Sequence, residues 1–133
     1  MRVFVVPQVS RLMRKERLPD AILCRPARDL VAGILGAGEA DLGGGLFKQR
    51  LVRPGSGKSG GYRVIIAYCP PRTERVLFTY AFVKNTAASL TQQGQEALTK
   101  AAAALLAADD QQVAALRAAN DVREIECDGN DQG

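Results

Sequence analysis

A chain of 133 residues has the length of one domain, and its 47% hydrophobic content is enough for a buried core, which excludes a disordered or collagen-like chain. It has no histidine, which excludes a Ser-His-Asp triad, a histidine general base and any histidine-ligated metal. The formal charge of +4 hides an asymmetry, because residues 42–73 hold six basic and no acidic side chains while residues 85–133 hold three basic against eight acidic, a pattern that points to one surface built for a polyanion such as nucleic acid.

Val3 to Val6 is β-branched and aromatic and predicts a short strand stopped by Pro7. Residues 8–17 place Val9, Leu12 and Met13 at helical spacing, followed by the basic run Arg14, Lys15 and Arg17, which reads as a solvated helix face. Pro19-Asp20 reads as a helix start. Leu23, Ala27, Leu30, Val31 and Ile34 then form an amphipathic stripe over 19–35, with Pro26 expected to kink the helix or reset its first turn. The glycine-rich stretch Gly33 to Gly45 ends it.

From Leu46 the hydrophobic period changes from the helical 3.6 to the strand value of 2. Residues 46–53 predict a strand with Lys48 and Arg50 on one face and Phe47 on the other. Residues 54–61 are a glycine-rich loop, residues 62–68 a second strand, Pro70-Pro71-Arg72 a turn, and residues 75–83 a third strand, together an antiparallel meander. The last third reads as helical: Ser89 with Gln92 and Asp109 with Gln112 both space like capping boxes, and Leu98, Ala101, Ala102, Leu105 and Leu106 form an apolar stripe. Residues 122–127 predict a short closing strand, and the polar tail 128–133 is expected to be disordered. No repeat or second domain is visible, so residues 1–133 read as a single domain.

Cys24, Cys69 and Cys127 are odd in number and widely spaced, fit neither a disulfide framework nor a Cys-x-x-Cys zinc site, and predict reduced thiols in a cytoplasmic protein. The run Val3–Val6 is too short for a signal peptide or a membrane span. Gly57-Lys58-Ser59 is similar to the end of a phosphate-binding P-loop, but Val52 stands where that motif needs glycine, and the loop joins strand to strand rather than strand to helix.

The stronger constellation is distributed. Lys48, Arg50 and Arg53 on the first strand of the meander, Lys58 on the loop, Arg63 on the second strand and Lys84 after the third can converge on one sheet surface, with Tyr62 and Tyr80 near enough to stack on bases. Any one of these cations alone reads as ordinary surface solvation, and Tyr80 alone reads equally well as core packing. The run of 32 residues, 42–73, without a carboxylate is what supports polyanion binding.

The segment LGGGLFKQRLVRPGSGKSGGYRVIIAY, then RVLFTYAFVKN, then TQQGQEALTKAA, resembles the RelE/HigB-like toxins of bacterial type II toxin–antitoxin modules. The resemblance covers residues 42–107 closely and residues 19–35 and the acidic end more loosely; Ala81, Thr86 and Pro26 depart from the pattern. It implies an α+β fold, with a small antiparallel β-sheet of the RelE/ParE toxin type flanked by N-terminal and C-terminal helices. It also implies a ribosome-dependent mRNA endonuclease, held inactive by a cognate antitoxin, whose partners are the ribosome and its message and which needs no cofactor or metal.

In that reading the message's own 2′-hydroxyl attacks the adjacent phosphate, leaving a cyclic phosphate and a 5′-hydroxyl. Arg63 stabilises the developing charge, and Lys84 or Lys48 moves the proton. Arg50, Arg53 and Lys58 hold flanking phosphates and ribosomal RNA. The alternatives are a toxin of the same fold acting on a protein such as DNA gyrase, and a non-catalytic nucleic-acid-binding module.

Overall fold

The computed structural model describes residues 1–52, 61–69, 74–84 and 91–127. Strand β1 (Arg2–Val5) runs into helix α1 (Pro7–Glu16). Pro7 ends the strand and also opens the helix, at the position where a missing N–H costs nothing. Val9 and Met13 of α1 are buried as the spacing predicts, and Arg17 closes the helix in the left-handed region at φ 57°.

The expected helix over 19–35 is divided. A 3-10 turn spans Asp20–Leu23, and α2 (Cys24–Val31) follows, with Pro26 in its first turn. Gly33, at φ 79°, donates its N–H to Leu30 while Ile34 donates to Asp29, a Schellman closure that stops the helix. Leu23, Ala27 and Leu30 of the predicted stripe are therefore buried, whereas Val31 and Ile34 are 42% and 54% exposed.

The meander is present as β3 (Leu46–Leu51), β4 (Tyr62–Ala67) and β5 (Arg75–Val83). It is the centre of a six-stranded sheet of order β2-β3-β4-β5-β1-β6, with β2 (Ala40–Gly43) and β6 (Arg123–Ile125) at its edges. All pairs are antiparallel except β1 with β5. β2 lies in the glycine stretch that read only as a helix end: Gly44 and Gly45, at φ 64° and 83°, make the two-residue turn into β3 that requires positive φ at both positions.

Helices cover both faces of the sheet. On one, α1 and α2 close a core with Val3, Val5, Val64, Ile66 and Phe78. On the other, α3 (Gln92–Ala107) and α4 (Asp110–Ala118) bury Ala102, Leu105 and Val113 against Phe4, Leu46, Ile65, Ala67 and Leu77. The Asp109–Gln112 capping box is formed in both directions. Helix α3 is capped by Thr91, whose hydroxyl accepts from the Gly94 N–H; Ser89, the tail 128–133 and the turn 70–72 lie outside the described residues.

The cysteines correct the expectation of three free thiols. Cys24 at the start of α2 and Cys127 beyond β6 are joined in a disulfide with Cα atoms 5.3 Å apart, and Cys69 is free. Spacing could not show this, because the pair is brought together by β1, which seats β6 in the sheet beside it. No helix among the described residues is long and apolar enough to cross a membrane.

Candidate nucleic-acid interface

Strand alternation and register decide which predicted residues share a surface. Lys48 and Arg50 lie on the face of β3 that carries Leu46, the face covered further along by α3 and α4. Arg63 pairs directly with Arg50, and Lys48 with Ile65, so Arg63 shares that face. On β5, Phe82 stands opposite Arg63 and Tyr80 opposite Ile65. Two cross-strand rows result, Lys48–Ile65–Tyr80 and Arg50–Arg63–Phe82.

A bulge in β5 makes this arrangement. Ile65 pairs with Tyr80 but Ile66 pairs with Phe78, leaving Thr79 as the extra residue. Simple alternation from Leu77 would turn Tyr80 and Phe82 to the α1/α2 face; one inserted residue turns both to the cationic face. The bulge is held by two side chains. The Thr79 hydroxyl donates to the Ile65 carbonyl at 2.9 Å, and the Gln8 carboxamide of α1 both donates to the Ala81 carbonyl at 2.8 Å and accepts from its N–H at 2.9 Å. The Tyr80 and Phe82 rings then lie 5.9 Å apart between centroids. Phe82 was not among the predicted site residues, and no local signal in residues 75–83 marks the bulge.

Lys84 follows β5, and its N–H donates to the Gly61 carbonyl at 3.0 Å, which extends the ladder and keeps the lysine beside the Arg63 row. Lys48, Arg50, Arg63, Tyr80 and Lys84 are all half-buried. None of the three strands carries an acidic residue. Glu39 reaches the edge of the group by accepting the Arg50 backbone N–H at 2.9 Å and the Gly36 N–H at 2.6 Å, which ties the loop before β2 to β3. The Arg63 guanidinium donates to the Tyr62 carbonyl at 3.3 Å.

Tyr62 does not join the others. It neighbours Arg63 in the strand and so points to the opposite face, where its ring is buried in the α1/α2 core and its hydroxyl donates to Glu16 at 2.9 Å. Arg53 and Lys58 lie outside the described residues. Among the described residues, no cluster of His, Cys, Asp or Glu is arranged to hold a metal.

Chemically, the surface offers planar guanidiniums for bidentate contact with phosphate, two ammonium groups that can donate or relay protons, and an aromatic pair for stacking. Residues 1–125 match the sequence model of a family described as the RelE toxin of the RelE/RelB toxin–antitoxin system. No curated protein matches the chain.

Proposed function

The chain belongs to the RelE toxin family, and on that premise we propose that this toxin is a ribosome-dependent endoribonuclease that stops translation by cutting message in the cytoplasm. The observation that carries the reading is the direct pairing of Arg50 with Arg63 on strands without a carboxylate, flanked by Lys48 and Lys84. Like charges directly opposite in a sheet are unfavourable, so a pair kept there is best explained by an anion that lies between them in use.

The assigned chemistry follows from the groups present. The 2′-hydroxyl of the message attacks the adjacent phosphorus, the bond to the 5′-oxygen of the next nucleotide breaks, and the products are a 2′,3′-cyclic phosphate and a 5′-hydroxyl. Arg63 stabilises the charge that develops on the phosphoryl oxygens. Lys48 and Lys84 move the two protons, one leaving the nucleophile and one reaching the departing oxygen. Arg50 holds the neighbouring phosphate, and Tyr80 with Phe82 supplies the ring surface on which a base stacks. Arg53 and Lys58 are assigned to flanking phosphates and ribosomal RNA.

The test is a translating extract programmed with one defined message. The wild-type chain is expected to produce cuts with 5′-hydroxyl ends, and Arg63→Ala to cut about 10²–10³-fold more slowly with its circular dichroism unchanged. An Arg63→Ala variant as fast as wild type would remove Arg63 from the mechanism, and intact message with the wild type would remove the activity.

A further inference from the structure

A second cationic surface lies at the opposite edge of the sheet from the β2–β3 hairpin. Beyond edge strand β6, helices α1 and α4 flank a groove of about 620 Å³. Its rim carries four arginines: Arg11 and Arg14 of α1, Arg117 in the last turn of α4, and Arg123 of β6. Between the arginines its lining mixes small apolar side chains, Val5, Pro7, Ala114, Ala118 and Val122, with the polar Ser10 and Asn120. Glu124 is the one carboxylate lining it, and that group is already engaged by Arg2 at 2.9 Å and Arg117 at 3.2 Å.

The four arginines are not equivalent. Arg123 is held by two bonds to Asp20, at 2.6 and 3.0 Å, and Arg117 by Glu124. Arg11 and Arg14, three residues apart on one face of α1, are exposed and have no carboxylate partner among the described residues. Two open guanidinium forks therefore line a groove that also carries small aliphatic side chains.

We infer that this groove receives an acidic, amphipathic segment of the antitoxin. Guanidinium forks match carboxylates bidentately, and the alanine and valine side chains of the lining can meet aliphatic side chains from the same segment. RNA fits less well, since none of the residues lining the groove is aromatic and no stacking platform is present. The groove shares no residue with the Lys48–Arg63 surface. The inference rests on membership of the toxin family, which supplies an antitoxin, and not on the reading of that surface as a ribonuclease site.

The experiment titrates the full-length antitoxin into wild-type toxin and into Arg11→Glu/Arg14→Glu by calorimetry, with message cleavage in a translating extract measured on the same preparations. The double reversal is expected to weaken antitoxin binding at least about tenfold while cleavage stays at the wild-type rate. Should the reversal disturb folding, Arg11→Ala/Arg14→Ala is expected to lower affinity in the same direction, with unchanged melting temperature. Unchanged antitoxin affinity in a folded variant overturns the inference, as does a loss of cleavage with antitoxin affinity intact, which would make the groove an RNA surface. A wild-type chain that cuts no message leaves the titration readable, so the two readings fail separately.

Discussion

Arg50 of β3 stands directly across from Arg63 of β4, on the sheet face that also carries Lys48. Directly opposed residues in an antiparallel pair lie about 5 Å apart at Cβ, and like charges at that spacing cost stability. A protein selected for stability alone would place opposite charges or neutral β-formers there. Under the proposed function, the arrangement trades folding free energy for an anion site.

The trade is measurable. Arg50→Gln is expected to raise the unfolding free energy by about 0.2–1 kcal/mol, the size of one cross-strand term, while lowering message cleavage. Urea unfolding and the cleavage assay on the same variant check both halves. A variant that is both less stable and fully active contradicts the account of the pair.

Much of this surface was legible in the sequence. The change of period at Leu46 placed β3, β4 and β5, and the same period put Lys48 and Arg50 on one face. Alternation also rules out Tyr62 as a companion of Arg63, because neighbours in a strand point apart, and closeness in the chain does not put two residues on one face. Two features had no local signal. The Thr79 bulge depends on Gln8, 71 positions earlier in the chain, which holds Ala81 of β5, and β1 joins β5 through a parallel pairing that only the assembled sheet defines. Val31 and Ile34 continued an apolar period past the point where Gly33 ends the helix, so periodicity alone carried the stripe too far.

Gln49 shows a cost of another kind. It is 1% exposed on the α1/α2 face of β3, and neither carboxamide atom has a hydrogen-bond partner among the described residues. A buried amide left unpaired costs about 1–3 kcal/mol. Gln49→Leu is expected to recover about 1 kcal/mol or more, seen as a higher urea midpoint with an unchanged slope. A destabilised Gln49→Leu would show that the carboxamide is satisfied in solution.

The β6 edge carries an acid-sensitive ion pair. The bidentate bonds from Arg2 hold the Glu124 carboxyl below its ordinary value, opposed by partial burial and aided by the charges of Arg2 and Arg117. A carboxylate whose folded value is depressed contributes stability that is complete above its unfolded value and is lost as pH falls through the folded one. Stability is therefore expected to decline below the ordinary carboxylate range. Glu124→Gln should lose about 1–2 kcal/mol at neutral pH and flatten that decline. Thermal melts of both proteins between neutral and acidic pH are the check; parallel curves would contradict it.

The disulfide makes the same edge redox-sensitive. It spans 103 positions from α2 to the second residue after β6, and a cross-link closing so long a loop stabilises by about 2–4 kcal/mol, chiefly by restricting the unfolded chain. In a Cys69→Ser background, oxidised protein should unfold at higher urea than protein kept in reductant, by an amount in that range. Equal midpoints would mean that the bond does not form in solution.

In the proposed function the Arg50–Arg63 surface cuts translated message. Its most direct measurement maps message 5′ ends in bacteria after brief expression of wild-type toxin or Arg63→Ala. New 5′-hydroxyl ends inside coding regions are expected with the wild type, dependent on translation and absent with the variant. Growth arrest with intact messages would contradict it and point to a protein target for the same scaffold.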